Sequence, residues 1–373
     1  MIPTPRRRAL ACHVLTACLV AAVVLLPGLS QAQPAPAATV RPAAEIAARP
    51  RVRLLATGGT ISNRVGGRLS AEELLAAVPD LDRYVRAEAE LFSNIASGEM
   101  TLVQWLALAR RANAVFAADP DLAGLVVTSG TDTLEELAYF LSLTVRDERP
   151  VVVVGSMRNP STPGYEGAAN LLDGFRVAAS PEARGLGALV VLNDEINAAR
   201  DVTKTDALRL HTFSSRALGV LGVVDRDRVA FLRRPVKRAG AQSEFDLSGV
   251  TALPRVDVLL VYQGAPGDLI RDAVDHGARG IVIATAGAGA TSGTQGDGLR
   301  YARERGVIVV QATRTGGGRI AGRLATADAP LPDRWALTVG AEDLTPVKAR
   351  VLLMLALTRT SDRDQIQRMF LEY

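Results

Sequence analysis

Seven stretches of this chain are continuous in Val, Ile and Leu instead of alternating with polar residues. They are VRLLAT (52–57), GLVVTS (124–129), PVVVVGS (150–156), ALVVLN (188–193), VDVLLVY (256–262), GIVIATAG (280–287) and GVIVVQAT (306–313). Strands covered on both faces read this way, whereas a strand with one wet face alternates. Between the runs lie amphipathic segments with helical spacing, such as TLEELAYFLSLTV (133–145) and DLIRDAVDHG (268–277). Strand and helix in alternation predict a parallel α/β fold. The last helix is predicted to begin at LTPVKARVLLMLALT, with Thr345 as N-cap and Pro346 in the first turn. The charged, Pro- and Gly-containing span Arg233–Gly249 separates the first four runs from the last three and reads as an interdomain linker. No internal repeat of fixed period is visible.

At 373 residues, with 48% hydrophobic and 22% charged residues, the chain has the composition of a globular protein and the length of two ordinary domains. Its beginning stands apart. MIPTPRRRAL is a basic segment, LTACLVAAVVLLPGL an apolar one, and SQAQ offers a small-x-small cleavage site after Ala32. This is the pattern of an export signal over residues 1–32, and the run is short for a membrane span. A lipid-modified Cys18 fits less well, because most of the apolar run follows that residue. A Pro/Ala-rich spacer occupies 33–50.

Removing the signal takes away Arg6, Arg7 and Arg8 and no acid, so the formal net charge falls from +4 to +1. No sustained basic patch is left to neutralise phosphates, which argues against a nucleic-acid partner. Both cysteines, Cys12 and Cys18, leave as well, and with them any disulfide, thiol nucleophile or Cys-based metal site. The two remaining histidines, His211 and His276, have no partner at metal-ligand spacing. There is no G-x-S-x-G elbow and no Walker A pattern, and GAGATSG has one residue too many for a dinucleotide fingerprint. An enzyme built on this chain works with Thr, Ser, Lys, Asp and Glu.

Ligands of an open parallel sheet bind beyond the C-terminal ends of its strands. After the first run comes Thr57-Gly58-Gly59-Thr60, where either threonine is a candidate to face a bound molecule. After the second come Thr128, Ser129, Thr131 and Asp132 at a helix start; after the third, Gly155, Ser156, Met157 and Arg158. After the fourth, RDVTKTD supplies Asp201, Thr203, Lys204 and Thr205. Each group also has an ordinary structural reading. Gly58-Gly59 suits a tight turn, Asp132 and Thr133 suit a helix cap with Glu136 completing a capping box, SGEMT (97–101) suits another cap, and Lys204 suits solvent. Taken together, two hydroxyl-bearing loops with a lysine and a carboxylate suit nucleophilic acyl transfer without histidine. The hydroxyl needs a neighbouring base, and loop N–H groups can hold an oxyanion.

These motifs resemble the bacterial type II asparaginases. ATGGTIS (56–62) and TSGTDTLEELAYFLSLTV (128–145) are similar to the two family signatures, supported by VVGSMR, LNDEINAARDVTKTD, LPRVDVLLVY and PVKARVLLMLALTRT. The likeness runs from residue 51 to 373. It implies a larger N-terminal parallel or mixed sheet domain (51–232), a linker (233–253) and a smaller Rossmann-like C-terminal α/β domain (254–373). It implies hydrolysis of the side-chain amide of L-asparagine, with L-glutamine as a secondary substrate and no cofactor or metal. Thr60 matches the family's nucleophile. Thr131, Asp132 and Lys204 match its second catalytic group, and Asp132 is also expected to hold the substrate α-amino group. Ser97, followed by Gly98, is expected at the α-carboxylate, and Gly59, Gly130 and the Ser156 backbone line the rest. A periplasmic homotetramer of intimate dimers, free of the membrane after processing, is implied too.

The loop ISNRVGGRLSAEEL departs from the family pattern. It is short and lacks the tyrosine that activates the nucleophile, leaving Ser62, Arg64 or Ser70 as substitutes without a basis for choice. RTGGGRIAG shows no counterpart of the acidic residue that a neighbouring subunit often supplies. Two other readings stay open: an enzyme preferring glutamine, and a non-catalytic periplasmic amino-acid-binding protein.

Overall fold

The computed structural model describes residues 42–324 and 337–373. The expected signal peptide (1–32) with its cleavage site at Ala32, both cysteines, and the spacer up to residue 41 lie outside the described residues.

In chain order the elements are α1 (Ala43–Ala47), β1 (Arg51–Gly58), the ribbon strands β2 (Asn63–Arg64) and β3 (Gly67–Arg68), α2 (Ala71–Ala76), β4 (Arg86–Ile95), α3 (Leu102–Ala118) and β5 (Leu122–Thr128). Next come α4 (Leu134–Thr144), β6 (Val151–Val154), α5 (Gly167–Ala178), β7 (Ala188–Leu192), β8 (Glu195–Ala198), β9 (Thr203–Lys204), β10 (Phe213–Ser214), β11 (Gly222–Val224) and β12 (Val229–Phe231). The C-terminal part holds β13 (Val256–Leu260), α6 (Asp268–Asp275), β14 (Gly280–Thr285), α7 (Gln295–Glu304), β15 (Ile308–Thr313), β16 (Thr338–Gly340), α8 (Pro346–Ala356) and α9 (Arg363–Glu372). Each of the seven continuous apolar runs is a strand.

The larger sheet has the order β12-β11-β8-β7-β6-β5-β1-β4. Strands β4, β1, β5, β6 and β7 are parallel. Strands β8, β11 and β12 are added antiparallel, so the sheet is mixed. The smaller sheet, β13-β14-β15-β16, is wholly parallel. The fold is therefore α/β, with a larger N-terminal and a smaller C-terminal sheet.

The continuity of the apolar runs has a direct cause. On β1, β5 and β6, Leu55, Val127 and Val153 join one buried cluster with residues of α3 and α4. Their neighbours Leu54, Val126, Val152 and Val154 join another with residues of α2 and α5. Successive side chains point to opposite faces, and both faces are covered. The first cluster continues without a break into α8, α9, β14 and β15. The segment Arg233–Gly249 is packed against it. Phe245 and Leu247 are buried, the Phe245 ring lies 5.0 Å from that of Tyr373, and Ser243 Oγ donates to the Leu143 carbonyl. Before α8, Thr345 occupies the N-cap position with Pro346 next, although its side chain makes no capping bond.

Candidate active site

β1 ends at Gly58, Gly59 follows, both at positive φ (102° and 90°), and Gly59 leads into a single 3-10 turn, Thr60–Ser62. A Cβ on Gly59 would lie 2.3 Å from the Gly130 nitrogen, so the turns after β1 and β5 meet backbone to backbone. Only glycine combines that φ with that approach. The two flanking threonines divide. Thr57 is buried, its hydroxyl donating to the Thr128 carbonyl (2.5 Å) while its N–H donates to Thr128 Oγ1 (3.0 Å). That pair ties β1 to β5. Thr60 stays half-buried at the strand end.

After β5 the chain runs through Ser129, Gly130, Thr131 and Asp132 into α4. The capping alternative does not form, since Thr133 precedes α4 without a side-chain capping bond. Lys204 Nζ donates instead to Asp132 Oδ1 (2.8 Å) and Thr131 Oγ1 (3.0 Å). Thr131 is 6% exposed, the Lys204 side chain 16% and the Asp132 side chain 83%. A shielded lysine thus touches a shielded hydroxyl and an open carboxylate, which leaves Asp132 acceptor capacity for a cation from solution. Lys204 sits on the ribbon of β9 with β10.

Ser97 lies in the turn after β4, and a Cβ on Gly130 would sit 2.8 Å from its Oγ. The capping role in SGEMT falls to Thr101, whose side chain forms a capping box with Gln104 of α3. Gly98 beside Ser97 is exposed, with open space where a Cβ would stand. A Cβ on Gly155 would lie 3.2 Å from the Thr131 γ-methyl, placing the loop after β6 against the same centre. Ser156 is buried, its hydroxyl donating to the Arg158 carbonyl (2.6 Å), so its side chain serves the loop. A cleft of 440 Å³ opens beside the group, lined by Asp132, Glu135, Lys204, Thr205, Asp206 and Ala207. Among the described residues, no three His, Cys, Asp or Glu side chains are grouped to hold a metal ion.

The structure thus brings Thr131, Asp132 and Lys204 into direct contact. It strings Gly59, Gly130 and Ser97 beside one another and sets Gly155-Ser156 against Thr131. The side chains considered for the short loop are engaged elsewhere. Ser62 Oγ bonds the Gly59 carbonyl and Asn94, Ser70 caps α2, and Arg64 pairs with Glu73.

Sequence reasoning missed Tyr165, whose hydroxyl donates to the Ile61 carbonyl at 2.9 Å, one residue beyond Thr60. Burial pushes its phenol well above the usual tyrosine range, so it stays a donor. A second tie, from the Val65 N–H to Ser161 Oγ (2.9 Å), holds the β2–β3 ribbon to the same 155–166 loop. Tyr165→Phe removes one neutral hydrogen bond and is expected to cost about 1 kcal/mol, read as a lower urea midpoint at unchanged slope. Nothing local marks Tyr165, which is 104 residues from its partner.

Residues 51–237 match the family described as Asparaginase, N-terminal, and residues 255–370 the Glutaminase/Asparaginase C-terminal domain. L-asparaginase 2 of Bacillus subtilis is 40% identical over 87% of this chain and 87% of its own length. Glutaminase-asparaginase of Pseudomonas fluorescens is 37% identical over 86% and 90%. The crystal structure of a probable cytoplasmic L-asparaginase from Campylobacter jejuni superposes with a TM-score of 0.81 at 38% identity, covering 87% of this chain and all of that one. With two matched domains, relatives aligned along most of their length and a shared fold, the chain belongs to the asparaginase/glutaminase family of amidohydrolases.

Proposed function

We propose that this protein hydrolyses the side-chain amide of L-asparagine to L-aspartate and ammonia, with Thr60 as nucleophile. The Thr60 oxygen attacks the amide carbon, its proton passes to the departing nitrogen, and ammonia leaves an ester on Thr60. Water then adds to the ester carbon, aspartate departs, and Thr60 regains its proton. In this reading Lys204, with Thr131 and Asp132, moves the protons. Asp132 also receives the substrate ammonium, Ser97 and the adjoining Gly98 take the α-carboxylate, and Gly59, Gly130 and the Ser156 backbone surround the reacting carbonyl.

The observation that carries the reading is the Lys204 ammonium bonded at once to Thr131 and Asp132, on the loop that the Gly59–Gly130 approach sets beside Thr60. A hydroxyl needs a neighbouring proton acceptor to act as a nucleophile at neutral pH, and in this reading Lys204 fills that role as the neutral amine, after passing a proton on. Glutamine as a secondary or even preferred substrate is the alternative, favoured by the name of the Pseudomonas fluorescens relative. We place residues 51–232 and 254–373 as the two domains, the exported chain in the periplasm after cleavage near Ala32, and the assembly as a homotetramer. Light scattering tests the assembly.

The test of function is ammonia release from L-asparagine and L-glutamine by the chain from residue 33 onward. Faster turnover of asparagine is the expected result. Binding of either amino acid without ammonia would overturn the proposal in favour of a binding protein, and faster turnover of glutamine would reassign the substrate.

A further inference from the structure

Lys204 is a flexible side chain on a strand of two residues, and one of its two contacts, Asp132, is largely open to solvent. An exposed ion pair fixes geometry weakly. What holds the strand itself lies beneath it. Glu135, in the first turn of α4 and 9% exposed, accepts from Thr203 Oγ1 (2.9 Å) and from the Lys204 N–H (3.2 Å) through one oxygen. Its other oxygen faces Lys348 Nζ at 3.7 Å. Lys348 comes from α8, is fully buried, and donates to the carbonyls of Arg200 (3.0 Å) and Val202.

We propose that Glu135 and Lys348 form a buried positioning pair that sets the backbone of Lys204, and so places its ammonium on Thr131 and Asp132. This rests on the catalytic role given to Lys204 above. The grip is taken at four points within residues 200–204, the carbonyls of 200 and 202 by Lys348, the side chain of 203 and the N–H of 204 by Glu135. Glu135 stands four residues beyond Thr131, in the first turn of the helix that the Thr131 loop enters. The loop that carries the Thr131 hydroxyl therefore runs directly into the helix whose carboxylate places the lysine meeting it. A buried ion pair costs desolvation that apolar side chains of equal volume would avoid, so its presence beneath a reactive lysine calls for a reason besides stability. Burial also pushes the Lys348 ammonium down to about 8, which leaves it protonated at neutral pH.

The test compares the unaltered protein with Glu135→Ala, Glu135→Gln and Thr203→Val, each normalised to folded molecules. Misplacement by about 1 Å costs on the order of 100-fold, so Glu135→Ala is expected to lower kcat on asparagine about 100-fold with KM nearly unchanged. Glu135→Gln keeps an acceptor oxygen and is expected to recover about tenfold of that loss. A second readout does not depend on turnover. Reductive methylation followed by mass spectrometry is expected to label Lys204 faster in Glu135→Ala and Thr203→Val than in the unaltered protein. Unchanged kcat and unchanged labelling of Lys204 would overturn the pair's role and reduce it to a structural one. Should Glu135→Ala fail to fold, Glu135→Gln and Thr203→Val decide by the same labelling. Absence of ammonia release from the unaltered protein would overturn the proposed reaction alone, because labelling reports the lysine's position in either case.

Discussion

Thr60→Ala is expected to lower kcat on asparagine by at least about 1000-fold while leaving the fold as stable as before. Removing a catalytic nucleophile costs this much or more in hydrolases that pass through an acyl intermediate, because no other group can form the covalent bond. The fold is expected to tolerate the change. Thr60 is half-buried at a strand end, its hydroxyl is absent from the ties between β1 and β5, and Thr57 with Thr128 makes those ties. Side chains away from such networks change stability by only about 0.5 kcal/mol or less. Substrate is expected still to bind, since Ser97 and Asp132, proposed above to hold it, are untouched, and isothermal titration of the inactive variant with asparagine reads this directly. Full turnover in Thr60→Ala would remove Thr60 as nucleophile and point to Thr131, the hydroxyl that Lys204 contacts.

Gly59→Ala is expected to damage both fold and site. Its φ of 90° with ψ of −175° lies in a region open essentially to glycine alone. The added Cβ would stand 2.3 Å from the Gly130 nitrogen and 2.4 Å from its Cα, backbone atoms that cannot swing aside. One of the two turns must move, at a cost of about 3 kcal/mol or more. Thr60 and Thr131 ride on those turns, so turnover is expected to fall at least about 100-fold even in the folded fraction. Urea denaturation with kcat per folded molecule separates the losses. Gly296→Ala is the control, since a Cβ there meets nothing within 4 Å. Parent-like stability and kcat in Gly59→Ala would show that the turns relax freely, and the backbone approach would lose its importance.

The contrast between Gly59 and Tyr165 explains how far the residues could be read in advance. Gly59 sits in a short motif whose chemistry is local: an apolar run stops, two glycines turn the chain, and a hydroxyl follows. Thr131, Asp132 and Lys204 were legible for the same reason, each lying just past a run of buried residues. Tyr165 has no such frame, because its meaning comes from a carbonyl 104 residues earlier. Strand β4 escaped for a different reason. It is a partly exposed edge strand with acidic residues at Glu88 and Glu90, held by Arg51, Arg53 and Arg111, so it lacks the apolar continuity of the central strands. Charged side chains are how an edge strand is kept from pairing further, and they erase the strand's hydrophobic signature.

The order of residues thus decided the α/β class, the seven covered strands and the loops that carry hydroxyls, lysine and carboxylate, because each follows from burial pattern and turn chemistry within a few neighbours. Which of those groups touch was decided by the packed fold. Thr57 turned inward to Thr128 while Thr60 did not, Asp132 met Lys204 instead of capping α4, and Lys348 reached the carbonyl of Val202 from 146 residues away. Contacts of that kind depend on how β1, β5 and α8 stack around a common core, and a buried polar group takes its partner from whatever that stacking brings within reach.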